Sequence, residues 1–88
     1  MKRSFTVANA NGLHLRVASA LIKLAREFDL PIHLERDDNH RQASSDSILE
    51  LITLDASPGS RLTLTIEGAA AEQLARKVED LFVDGAGI

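Results

Sequence analysis

Three residues in this 88-residue chain have the types and spacing to do chemistry together: Gly12, His14 and Arg16, within the stretch NANGLHLRVASALIKLAREF from Asn9 to Phe28. A free imidazole has an ordinary pKa of about 6.5, so near neutral pH one ring nitrogen keeps a lone pair and acts as a nucleophile. A guanidinium two positions on suits phosphate oxygens. A glycine two positions before allows backbone angles that a bulkier residue resists. The apolar rhythm that follows predicts a helix starting near Leu15. Its leading N–H groups, those of Leu15, Arg16 and Val17, lack intrahelical acceptors and lie at the positive end of the helix dipole. These features converge on a phosphoryl group. On spacing alone, a histidine in a turn before a helix is more often an ordinary solvated residue.

The elements that must hold this stretch are read from periodicity. From Arg3 to Ala8 residues alternate, with Phe5 and Val7 on one face and Ser4 and Thr6 on the other, which predicts a half-buried strand. Asn9 to Gly12 breaks it. Val17, Leu21, Leu24, Ala25 and Phe28 recur at helical steps, and Pro31 is expected to close that segment. Ile32 and Leu34 alternate with His33 and Glu35 in a second strand; RDDNH supplies turn chemistry, and RQAS is a weaker returning edge strand. Ser47 and Glu50 fit a capping box in which each side chain satisfies an unpaired amide, predicting a short helix over ILELITL. After the SPGS turn, Leu62, Leu64 and Ile66 alternate with Thr63 and Thr65. Leu74, Val78, Leu81 and Phe82 then form a last helical stripe, and DGAGI reads as a loose tail. The expected fold is α+β, a single domain over residues 1–88: an open-faced sandwich of a four-stranded antiparallel sheet covered on one side by three helices.

Composition excludes several functions. A formal net charge of −3 argues against general nucleic-acid binding, and three Phe with no Trp or Tyr leave few stacking platforms for bases. Without cysteine there is no disulfide framework and no thiolate metal site, which suits a reducing compartment; the expected location is cytoplasmic. No apolar run approaches the roughly 20 residues that span a bilayer, so neither export nor membrane insertion is expected. His33 and His40 are not spaced as ligands, and neither a metal nor a cofactor is expected.

The segment from Asn9 to Phe28 resembles the active-site segment of the histidine-containing phosphocarrier family, HPr, whose members carry a Gly-Leu-His-x-Arg signature after the first strand; Gly12, Leu13, His14 and Arg16 match it. SDSILELITLDASPG resembles the family's short-helix segment, the glycine of IEG falls where expected, and the order of elements agrees, so the resemblance covers essentially the whole chain. It implies a phosphocarrier, not an enzyme turning over its own substrate. His14 would accept a phosphoryl group on Nδ1 from phosphorylated enzyme I and pass it to a downstream protein, an enzyme II A component or a regulatory protein. Arg16 and the amides at the helix start would hold the phosphate. The resemblance further implies regulatory phosphorylation of Ser47, which capping alone also explains. It implies docking of acidic partner surfaces by Lys23 and Arg26, which read equally as a solvated face. ILELITL is apolar around most of its circumference, so part of it should stay exposed; Ile48 and Leu49 are the candidates for partner docking. A monomer is expected.

Two departures bear on the branch of the family. The usual proline after the signature arginine is Val17 here, which restores a backbone N–H in the first turn. Asp46 and Glu50 stand where sugar-transport carriers often have lysines, and LDASPG looks more like the nitrogen-related regulatory branch. The alternatives are therefore a regulatory carrier whose phosphorylation state is read by target proteins, or an interaction domain of the same fold that carries no phosphate.

Overall fold

The structure, a computed structural model, describes residues 1–10 and 12–83. Its elements run β1 Lys2–Thr6, α1 Leu15–Phe28, β2 His33–Arg36, β3 Gln42–Ser44, α2 Ile48–Thr53, β4 Arg61–Thr65 and α3 Ala71–Val83. Every expected element is present. The expected tail, DGAGI, lies outside the described residues.

The strands form one antiparallel sheet in the order β1-β4-β2-β3. Directly opposed residues share a face, and the register sets Phe5 against Leu62 and Leu34 against Leu64. Phe5, Leu34, Ala43, Leu62 and Leu64 are buried under the helices. Ser4, His33 and Thr63 alternate with them on the uncovered face, where Ser4 Oγ and Thr63 Oγ1 lie 3.0 Å apart. This is the open-faced sandwich that the alternation predicts.

Helix α1 buries Val17, Ala18 and Leu21, while Leu24, Ala25 and Phe28 pack partly against the core. It ends before Pro31. Asp29 takes a left-handed conformation (φ 53°), and the N–H groups of Asp29 and Leu30 donate to the carbonyls of Arg26 and Ala25. Asp is one of the few residues besides glycine that visits this region routinely, so the cap and not the proline stops the helix. Helix α3 lays Leu74, Ala75, Val78, Leu81 and Phe82 on the sheet, with the Phe82 ring 5.3 Å from that of Phe5.

The α2 start corrects one expectation. Ser47 Oγ accepts the Glu50 N–H at 3.2 Å, but the Glu50 carboxylate turns to the Ser44 N–H at 3.0 Å. The Ser47 N–H already donates to the Ser44 carbonyl, so only half of the capping box forms. Leu51 and Leu54 are buried, whereas Ile48, Leu49 and Ile52 are exposed at 41%, 70% and 38%. The all-round apolar pattern of this helix therefore leaves an exposed apolar ridge, as expected.

Candidate functional site

The loop between β1 and α1 is held at both ends by backbone bonds. Ala8 and Asn9 N–H both donate to the Phe82 carbonyl, at 2.9 and 3.0 Å. Asn9 Nδ2 donates to the Gly12 carbonyl at 2.9 Å, and the Gly12 N–H returns to the Asn9 carbonyl at 3.1 Å, closing a tight turn. Leu13, buried, donates its N–H to the Ala56 carbonyl at 2.7 Å. Gly12 has φ +61°, and a Cβ there would collide with the Ala56 carbonyl oxygen and approach Ser57 Cα to 2.9 Å. Only glycine fits that approach.

These bonds deliver His14 to the start of α1, between two core anchors, Leu13 and Val17. His14 is the N-cap: its backbone is extended, its carbonyl accepts the Ala18 N–H, and its Nδ1 accepts the Arg16 N–H at 3.3 Å. In a neutral ring an Nδ1 that accepts leaves the proton on Nε2, and the Nδ1 lone pair then points at the helix start. The N–H groups of Leu15 and Val17 belong to the same first turn, which precedes any intrahelical acceptor. No acidic residue lies in that turn. A phosphoryl group on Nδ1 would meet these donors where the helix dipole favours negative charge. The Arg16 side chain is exposed, as is that of Leu15, at 64%.

Three of the four expected docking residues, Lys23, Arg26 and Ile48, come together. Lys23 and Arg26 on α1 and Asp46 and Ile48 at the start of α2 line one shallow groove of about 790 Å³. Leu49 is exposed on the same short helix. Ser47 is half-buried at its N-cap. His33 is exposed, and His40 Nδ1 lies 2.9 Å from Glu35 Oε2, which holds the imidazole above its ordinary pKa, first by the hydrogen bond and then by charge. Among the described residues no three His, Cys, Asp or Glu side chains are grouped to hold a metal, and no helix is long and apolar enough to cross a membrane.

Asn9 and Ala56 were not anticipated as part of the site. An Asn three residues before a glycine was a readable turn signal for the first. Ala56 contributes only its carbonyl oxygen, which leaves no side-chain signature.

Comparison with known proteins agrees with this geometry. The chain is 35% identical over 83 residues to phosphocarrier protein HPr of Borreliella burgdorferi, covering 90% of this chain and 94% of that protein. It is 29% identical over 85 residues to phosphocarrier protein NPr of Escherichia coli K12, covering 97% of this chain and 93% of that protein. It is also 30% identical over 88 residues to the multiphosphoryl transfer protein of Escherichia coli O157:H7, covering 99% of this chain but only 23% of that much longer protein. The crystal structure of HPr-C-His from Thermoanaerobacter tengcongensis superposes with a TM-score of 0.79 at 27% identity, over 93% of this chain and 90% of that one. Residues 1–84 match the family model described as the PTS HPr component phosphorylation site, and with the fold and the helix-start histidine in place, the chain belongs to the HPr family of phosphocarriers.

Proposed function

We propose that this chain carries a phosphoryl group on Nδ1 of His14 within a phosphotransferase relay. The observation that supports it is the Nδ1 lone pair, set 3.3 Å from the Arg16 N–H at the mouth of α1. In the forward step the neutral ring, protonated on Nε2, attacks the phosphorus of a phosphohistidine on enzyme I. The new Nδ1–P bond forms as the donor's N–P bond breaks, and the donor imidazole leaves with the bonding pair. Neither ring gains or loses a proton. The first-turn amides of Leu15, Arg16 and Val17 exchange an imidazole acceptor for phosphate oxygens, and the Arg16 guanidinium supplies charge. The group stays transferable because the site is at the surface, where water competes with every contact.

The acceptor is an enzyme II A component or a regulatory protein. The regulatory reading draws on Asp46 and Glu50, which make the α2 face less basic, and on the likeness to NPr proteins. Lys23, Arg26, Ile48 and Leu49 would contact the partners, and Ser47, already half-buried at a helix start, would be the site of regulatory phosphorylation. The relay would operate in the cytoplasm, with residues 1–88 acting as one domain.

The test is labelling by phosphorylated enzyme I. The wild-type chain should take an acid-labile phosphate. His14→Asn, which keeps an N-cap side chain but removes the nucleophile, should take none while remaining folded. Labelling that survives this substitution would overturn the assignment.

A further inference from the structure

The alternation of β2 contains an anomaly. Ile32 and Leu34 are buried under the helices, and the next residue on that face is Arg36, directly opposite the buried Leu62. Only 15% of its side chain is exposed. Its guanidinium is used on both sides. Nε and Nη2 fork onto the two oxygens of Asp38, at 3.1 and 2.7 Å, while Nη1 donates to the carbonyls of Leu54 at 3.2 Å and Asp55 at 2.8 Å. The fork holds the Asp38 carboxyl below its ordinary range and the guanidinium above its own.

The carbonyls that Arg36 takes are those of the α2 C-terminus, which have no intrahelical donors and carry the negative end of the helix dipole. Asp55 takes the left-handed conformation, φ 56°, as Asp29 does at the end of α1, and so turns the chain out of α2. The next residue is Ala56, whose carbonyl receives the Leu13 N–H at 2.7 Å, and Leu13 adjoins His14. The chain of contacts is thus Asp38, Arg36, the Asp55 carbonyl, the Ala56 carbonyl, Leu13 and His14. Arg41 adds a bond to the neighbouring Thr53 carbonyl at 3.0 Å, from the far side of the same hairpin.

We propose that Arg36 is a positioning residue for His14: clamped by Asp38, it fixes the carbonyls of Leu54 and Asp55 and so sets where Ala56 anchors the peptide that carries the imidazole. This rests on the phosphocarrier reading above. In this role Arg36 acts through the backbone, so its effect belongs to the rate of transfer at a bound donor and not to docking.

The experiment compares the wild type with Arg36→Met, Asp38→Asn and the control Arg61→Met, an arginine on the uncovered face. Phosphoramidate serves as a small donor that needs no docking surface: its P–N bond breaks as the Nδ1–P bond forms, and ammonia leaves. Hydrogen exchange at the Leu13 amide is read beside exchange at Leu51 and Val78 in the core. In Arg36→Met, labelling of His14 should slow roughly tenfold, as expected when a reacting group is displaced by a fraction of an ångström to an ångström. Leu13 exchange should accelerate while Leu51 and Val78 keep their protection. Asp38→Asn, which leaves the guanidinium but weakens its clamp, should fall between, and Arg61→Met should match the wild type. With enzyme I as donor, the loss should appear in kcat and not in KM. Wild-type labelling and Leu13 protection in a folded Arg36→Met overturn the proposal; if that variant does not fold, the same result in Asp38→Asn does so. If His14 takes no label even in the wild type, the carrier reading falls, and the Leu13 exchange alone decides whether Arg36 holds the loop.

Discussion

Replacing Gly12 by alanine perturbs the site at its narrowest point, and the structure sets the scale of the damage. At φ +61° an L-residue in the left-handed region costs roughly 1–2 kcal/mol. The added Cβ also meets backbone that cannot swing away: the Ala56 carbonyl oxygen, Ser57 Cα at 2.9 Å and Pro58 Cδ at 3.2 Å. Forcing one extra carbon into such a contact adds about 1–3 kcal/mol, for a total of about 2–5 kcal/mol. In a domain of this size each kcal/mol moves the melting temperature by about 4–8 °C, so Gly12→Ala should melt at least about 8 °C below the wild type. Gly59→Ala separates the two terms. Gly59 also has a positive φ, +92°, but nothing lies within 4 Å of its added Cβ, so only the conformational cost of about 1–2 kcal/mol applies. Denaturant unfolding of both variants, with unchanged m-values, measures the difference. The Leu13 to Ala56 bond must give way in Gly12→Ala, so His14 labelling of the folded fraction should slow as well. A Gly12→Ala chain no less stable than Gly59→Ala would refute the close-approach argument.

Three further outcomes follow from the same geometry. Arg16→Ala should slow labelling by about fivefold to tenfold without abolishing it, because one solvent-exposed charge contact of about 1 kcal/mol is lost while the amides remain; an unchanged rate would remove the guanidinium from the site. Leu51→Ala, at a fully buried position, should cost about 2–5 kcal/mol in denaturant unfolding, whereas Leu49→Ala should stay within about 0.5 kcal/mol and raise KM for a protein donor. His40 should titrate above the ordinary histidine value in an NMR titration, and Glu35→Gln should bring it back. A pKa raised in the folded state stabilises below the unfolded pKa, and that contribution is lost as pH rises through the folded value. Its part in stability should therefore fade on going from mildly acid to alkaline pH.

Much of the molecule was readable before folding because it depends on neighbours in sequence. The alternation of Leu62, Leu64 and Ile66, the stripe from Leu74 to Phe82 and the cap-like Ser47 each declare their elements through local periodicity and local hydrogen bonding. Gly12, His14 and Arg16 could be read together for the same reason: glycine, N-cap and arginine lie within five consecutive residues. Local rules failed where two signals competed. Pro31 looked like the stop of the first helix, but Asp29 ended it earlier by adopting a left-handed cap. Glu50 looked like the partner of Ser47 but found Ser44 first. The order β1-β4-β2-β3, the seating of Leu13 on the Ala56 carbonyl and the reach of Arg36 across to Leu54 and Asp55 were decided only by tertiary structure. Sequence spacing determines which residues can share a helix turn or a strand face, but not which distant carbonyl will lie opposite them. A backbone oxygen carries no side-chain identity that could announce it, and the chain must close on itself before Ala56 and Leu13 can meet.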